Sequence, residues 1–208
     1  MKPIIVPGTE SATEPISVEE AGEHLRAAND GASPPVYVEA ALIARCIKSA
    51  RQACEAQLEM SLINKRLEVS SDTFFARGRC DSYIELLNGP VISVESVNYL
   101  DPEGVDQLLD PAKYRISRFF SPPVLQPAYG TSWPMLRRDT DCVRVKYNVG
   151  YPSGDSPPIQ IPEPIRTAMF LLIGHFYDNR EAVSDKSMTE VPLGVCAMLD
   201  KYRQALGL

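Results

Sequence analysis

Residues 175 to 181, "HFYDNRE", set a histidine, two acids, an amide and an arginine directly behind the apolar run "AMFLLIG". On a helix, His175 and Asp178 share a face at i, i+3 spacing, and Glu20 and His24 do so at i, i+4. If those helices faced each other, two imidazoles and two carboxylates would converge on a metal, as in carboxylate-rich bundles with di-metal centres. Such bundles project acids inward from several helices, whereas the acids of the second helical segment here fall mainly on its polar side. The plainer reading has Asp178 and Arg180 or Glu181 forming hydrogen bonds and ion pairs at a packing interface, with His175 satisfied by one partner. No metal and no cofactor are expected. A small metal-dependent or hydrolytic enzyme using His175 and Asp178 stands as one alternative.

Other chemistry leaves less trace. The chain has no G-x-x-x-x-G-K-[ST] phosphate loop, no G-x-G-x-x-G turn and no G-x-S-x-G elbow, and no serine or cysteine sits beside a base in a recognisable local pattern. Five cysteines, at 46, 54, 80, 142 and 196, include no C-x-x-C pair. That argues against a structural zinc site or a disulfide framework. Cys46, Cys54 and Cys196 fall inside apolar helical patterns and are expected as small buried hydrophobes. In "WPMLRRDTDCVRVKY", Trp133, Arg137, Arg138, Arg144 and Lys146 interleave aromatic and basic residues as single-strand nucleic-acid sites do. Asp139 and Asp141 dilute that charge, and alternating charges are the usual solvated face of a strand. A DNA-binding accessory protein is the second alternative.

Composition narrows the classes. With 27 acidic against 21 basic residues the net charge is -6, which opposes a broad phosphate-binding surface. A hydrophobic share of 44% with 23% charged residues is that of a folded protein. The N-terminal "MKPIIVPGTESATEP" has no sustained apolar run, and the longest apolar stretch, Ala168 to Gly174, is far too short for a bilayer. The chain is expected to start out in the cytosol without membrane contact.

The elements that would position these residues can be read from periodicity. Ser17 and Glu20 form a capping box that opens a short helix over about 17–28. A longer scaffold helix over about 36–60 carries Ile43, Ile47, Ala50, Cys54 and Leu58 on one stripe. From about 64 to 151 the period changes to 2: "CVRVKYNVGY" alternates like a half-buried strand, with "SYIELL", "VISVESVNYL" and "KYRIS" as further strands and "DPEG" as a type I turn. "IPEPIRTAMFLLIGHFYDNREAV" reads as a third helix, apolar almost all round and so buried on more than one side. A last helix spans about 192–206. The expected fold is α+β: a helical bundle from residues 15–63 and 160–208, a small antiparallel β-rich insertion over 64–159, and a flexible N-terminal arm over 1–14.

The order of parts adds a family likeness. "PISVEEAGEHLR", a scaffold helix ending near "ACEAQL", "IELLNGPVISVESVNYLDPEG", "YRIS", "YGTSWPMLRRDTDCVRVKYNVGYP", "IPEPIRTAMFLLIGHFYDNREAV" and "VPLGVCAMLDKYR" resemble, over residues 15 to 206, the head-tail connector (adaptor) proteins of long-tailed bacteriophages and prophages. The resemblance implies a non-enzymatic virion protein at the head-tail junction, assembled in the bacterial host cytoplasm. It would dock on the portal protein as a ring, with twelve copies to match the portal. The ring would extend the DNA channel, let DNA pass without specific binding, and offer a platform to a tail-side connector or tail completion protein. Membership of a ring would explain a third helix that is apolar all round, since heterologous contacts need two different faces per subunit. Arg166, Asp178, Asn179, Arg180 and Glu181 would organise the bundle or the subunit contact. Trp133 would anchor a loop or a partner, or simply cap the β core.

Overall fold

The computed structural model describes residues 4–7, 9–27, 37, 39–74, 83–151, 161–179 and 193–203. The chain is α+β with antiparallel sheets. It divides into two compact units, one formed by Met1–Ser11, Glu59–Ser153 and Gln204–Leu208, the other by Ala12–Leu58 and Gly154–Arg203. Among the described residues no helix is long and apolar enough to cross a membrane.

The first unit is built on a five-stranded sheet in the order β1 (Ile4–Ile5), β2 (Lys65–Ser71), β8 (Val143–Val149), β4 (Val91–Leu100), β5 (Asp106–Leu108). A three-stranded sheet joins β3 (Ile84–Glu85), β7 (Val124–Pro127) and β6 (Tyr114–Ser117) in that order. The alternation expected for β8 is present: Val143, Val145, Tyr147 and Val149 are buried, while Arg144, Lys146 and Asn148 are not. Its partner β2 went unnamed in the sequence reading although Leu67 and Val69 alternate with Arg66, Glu68 and Ser70 in the same way. The antiparallel register sets Leu67 opposite Tyr147 and Val69 opposite Val145, so both strands bury the same face. Phe74, Ile84, Leu86, Val97, Leu109 and Leu125 complete that core. "DPEG" turns the chain from β4 into β5, with the Gly104 N–H donating to the Asp101 carbonyl at 2.9 Å. At the N-terminus, Ile4 and Ile5 pair with Glu68 and Leu67, and the Ser11 N–H donates to the Asn64 carbonyl.

The second unit contains α1 (Val18–His24), α2 (Ala40–Leu58), α3 (Glu163–Asp178) and α4 (Leu193–Leu199). α2 packs against α1, α3 and α4, and α3 packs against α1 and α4. The capping box is formed: the Ser17 hydroxyl accepts from the Glu20 N–H while Glu20 accepts from the Ser17 N–H. Every residue of the expected α2 stripe is buried.

The helix ends differ from the periodic reading, each for a local reason. α1 stops at His24 rather than near 28. Arg26 turns to a φ of 53°, and the Ala27 N–H reaches back to the Gly22 carbonyl, the left-handed closure that consumes free carbonyls at a C-terminus. α2 stops at Leu58 because Glu59 takes a φ of 55°. α3 stops at Asp178, where Asn179 leaves the helical region at φ -106° and ψ 73°. α4 gives way to a 3-10 turn over Asp200–Tyr202.

α3 also corrects the expectation of a helix buried all round. Ile165, Ala168, Met169, Leu172 and Ile173 form one broad buried face. Phe170 is half-covered from α1 by His24, their ring centroids lying 5.1 Å apart, and Leu171 is 42% exposed. The cysteine reading needs one change as well: Cys46, Cys54 and Cys142 are buried, but Cys196 is half-exposed. Burial, then the neighbouring Glu55 carboxylate, pushes the Cys54 thiol up to about 12, away from the range of a nucleophile.

Candidate functional site

The residues singled out from sequence separate into a helix-unit group and a β-unit group. In the helix unit, Arg166 on the first turn of α3 does the most polar work. Its Nη1 donates to the Pro15 carbonyl and its Nη2 to Glu20 Oε1, both at 2.8 Å, while Nε lies 3.9 Å from Glu163. Its guanidinium also lies 5.9 Å from the ring centre of Phe170. One planar fork thus holds the segment before α1, the first turn of α1 and a ring on its own helix.

A second arginine does similar work and was missed from sequence. Arg51 sits on the buried side of α2 with a side chain only 2% exposed, donating from Nε to Glu14 at 2.8 Å and from Nη1 to Glu55 at 3.0 Å. The signal was present in its position, four residues after Ile47 and three before Cys54, where the apolar stripe leaves a gap. Glu55 is an exception to the expectation that the acids of this helix fall mainly on its polar side: it turns inward to Arg51 as an i, i+4 partner.

At the far end of α3, Asp178 and Asn179 are exposed and His175 is half-buried. The Asn179 side-chain amide donates to the His175 carbonyl at 2.8 Å and lies 3.3 Å from His175 Nδ1. Tyr177 donates to Glu39 across the α2–α3 packing at 2.5 Å. Arg180 and Glu181 lie outside the described residues. Glu20, one of the four candidate metal ligands, is engaged by Arg166, and His24 faces Phe170. Among the described residues no three His, Cys, Asp or Glu side chains gather as a metal site requires.

In the β unit, Trp133 lies flat on Phe74, ring centroids 4.3 Å apart and planes 3° from parallel. Phe74 is buried and in turn tilts against Tyr99. Residues 72–74 and 133–140 together wall a pocket of about 640 Å³ whose lining includes this stack and the charged residues Asp72, Arg137, Arg138 and Asp139. The loop is fastened below: the Arg137 N–H donates to Leu100, the Asp141 N–H to Asp72, and the Cys142 thiol to the Asp139 carbonyl. Of the candidate nucleic-acid cations, Arg144 is held by Asp106 at 2.8 Å on the neighbouring sheet edge, and Arg137 lies 3.6 Å from Asp139. Asp139 is one of the two acids that dilute this charge in the sequence, whereas Asp106 comes from a different strand.

Among the described residues of this unit three ionisable groups are shifted: burial, then the Asp110 carboxylate, raises the Tyr114 hydroxyl, and Tyr147 and Asp101 follow. Burial pushes the Tyr147 hydroxyl up, and it donates to the Leu87 carbonyl at 3.0 Å. Hydrogen bonds from the Gln107 side chain, then from the Val105 N–H, hold the Asp101 carboxyl below the usual carboxylate range. A further signal went unread in "RFFSPP": the β6–β7 turn, where polar residues are usual, carries Phe119 and Phe120.

Comparison with protein-family models gives no match, and neither does comparison with curated proteins. Solved structures do match. The chain is similar to a chain in the neck of an empty GTA particle computed with C6 symmetry, at 22% identity and a TM-score of 0.74, covering 100% of this chain and 98% of that one. The same identity and coverage hold for a chain in the virion of a native gene transfer agent (GTA) particle, with a TM-score of 0.71. A chain in the neck of a native GTA particle computed with C12 symmetry matches with a TM-score of 0.70, again at 22% identity. What is shared is the fold, over the whole of both units.

Proposed function

We propose that this chain is a structural subunit of the neck of a phage-like particle, a head-tail connector or adaptor that docks on the portal protein as a ring. The observation that carries the reading is the end-to-end fold likeness to neck chains. It runs through both units, covering 100% of this chain and 98% of those chains. The connector-like order of motifs over residues 15 to 206 supports the same conclusion independently. In this reading the chain is not an enzyme, binds no cofactor or metal, and resides at the head-tail junction of the virion after assembly in the bacterial host cytoplasm.

Symmetry of the neighbours bears on copy number. A twelve-fold ring satisfies a C12 and a C6 computation alike, whereas a six-fold ring satisfies only the second. We therefore infer a dodecamer. The ring extends the DNA channel and presents a platform to a tail-side connector or tail completion protein. DNA passes without specific binding: the chain carries a net charge of -6, and Arg144 and Arg137 are already opposed by Asp106 and Asp139.

Within the subunit we take residues 15–63 with 160–208 as one helical bundle, 64–159 as the β-rich insertion and 1–14 as an arm. Arg166 organises the bundle through Glu20 and Pro15. Asp178 and Asn179, exposed at the end of α3, with Arg180 and Glu181 next in sequence, are the residues we assign to organising the bundle or a subunit contact. Deleting the gene from the particle-forming host tests the reading by electron microscopy. The expected result is DNA-filled heads without tails, beside free tails. Tailed particles at normal yield, or heads that never fill, would overturn it.

A further inference from the structure

The β unit carries a knob and a hole that the single chain leaves apart. The knob is the turn between β6 and β7. Phe119 at its tip is 102% exposed and Phe120 is 55% exposed, an arrangement that costs solvation in a free subunit and usually marks a contact. The tip is held in place: Arg118 Nη2 donates to the Ile92 carbonyl at 2.9 Å, and the Phe120 ring stacks loosely on Tyr83. An apolar tip fixed in advance binds with little ordering cost.

The hole is the pocket above the Phe74–Trp133 stack. Its walls are Phe74, Trp133, Pro134, Met135 and Leu136, and Met135 is itself 81% exposed. Its volume of about 640 Å³ lies in the range of roughly 300–1,000 Å³ over which pockets engulf bulky groups. Around these apolar residues the lining adds Arg137 and Arg138 beside Asp72 and Asp139, so its formal charges balance. An apolar surface of this size with a charge-balanced border suits uncharged aromatic side chains such as a pair of phenylalanines.

We propose that Phe119 and Phe120 of one copy insert into the Phe74–Trp133–Met135 pocket of the next copy, making this the heterologous contact that repeats around the ring. The occupant is a second copy of this chain because knob and hole sit at different places on the same compact unit, which is what a head-to-tail repeat requires. The area supports a ring over a pair. Two phenylalanines bury roughly 150–250 Å² each, about half of the roughly 800 Å² per partner of a standard stable interface. One such contact is too small to hold a dimer, but a closed ring gives every subunit two of them, one as knob and one as hole. The contact rests on the ring reading above.

The test places a photo-crosslinking phenylalanine analogue at position 119 of the full chain. The chain is irradiated at millimolar concentration, cross-linked peptides are mapped by mass spectrometry, and oligomer size is followed by native mass spectrometry. The expected product joins position 119 of one copy to residues 133–136 of another. Its yield should fall about tenfold with Met135→Asp, an exposed position that leaves the core intact. Met135→Asp copies that carry the analogue at 119 should cross-link little among themselves, and their yield should recover when Phe119→Asp copies, whose pocket is intact, are added, with no ring formed in that mixture. Rings that form without the 119 to 133–136 product would overturn the contact and leave the ring reading standing. Cross-linked pairs that never close, even with the portal present, would overturn the ring and keep the contact. No intermolecular product at millimolar concentration, or cross-links only to other surfaces, would overturn the contact.

Discussion

Arg51 Nε lies 2.8 Å from Glu14 Oε2, joining the middle of α2 to the segment that leads into α1 through a guanidinium almost wholly withdrawn from water. A buried arginine left without its acids is costly, and so are the acids left without the arginine. Arg51→Ala is expected to lower the unfolding free energy by about 3 kcal/mol, at the low end for such pairs because Glu14 keeps some solvent contact. Urea denaturation measures it. An effect under about 1 kcal/mol, the level of an exposed ion pair, would show that the triad is not a keystone of the helix unit.

Arg166 is half of a second tie to the same segment, through Pro15 and Glu20. Replacing it with alanine removes two charge-assisted hydrogen bonds, one to a carbonyl and one to a half-exposed carboxylate, for an expected loss of about 1–2 kcal/mol. Arg166→Lys should recover only part of this, because an ammonium is a point charge without a planar fork to span both acceptors. Faster amide exchange in Val18–His24, with α2 amides unchanged, is the readout that separates this tie from general destabilisation.

Gly150 closes β8 at a φ of 102°, and a Cβ built there would stand 2.0 Å from the Ile63 carbonyl oxygen. Gly150→Ala therefore combines a left-handed backbone with a clash against main chain that cannot swing away. A destabilisation of about 3 kcal/mol or more is expected, seen as a lowered midpoint in the emission of Trp133, the chain's single tryptophan.

Asp101 gives a pH dependence with a definite sign. Its carboxyl is held below the ordinary range first by the Gln107 side-chain bond and then by the Val105 N–H. The ionised form is the one that the fold favours, so its stabilisation is present above the unfolded value near about 3.9 and is lost as pH falls through the lower folded value. The turn over 101–105 should loosen only below about pH 4. Gln107→Ala should move the Asp101 titration upward in a carboxyl NMR experiment; an unchanged titration would mean that the bond is not what holds it.

Much of the local structure was legible because it is encoded within one or two turns. The Ser17–Glu20 box, the Ile43-to-Leu58 stripe and the alternation of β8 all compare residues a few positions apart. Helix ends were less legible, since Arg26, Glu59 and Asn179 are not glycines and nothing in their side chains announces a change of backbone region. For the candidate site, the sequence pointed to Arg166 and Trp133, and missed the residues that give them their settings: Glu20 and Pro15 for the first, Phe74 for the second.

By itself, then, the sequence determined the α+β class, the main elements and the faces they bury, because hydrophobic periodicity is a local property that burial enforces position by position. Only the tertiary structure decided which charges are spent inside the subunit and which apolar groups are left over. Arg51 finds Glu14 across 37 positions and Arg166 finds Glu20 across 146. The apolar run of α3, which from sequence looked like a second interface, is largely used up within its own unit, while Phe119 on a short turn stays bare. Pairing and leftover surface depend on which distant segments the fold brings together, and no window of neighbouring residues contains that information.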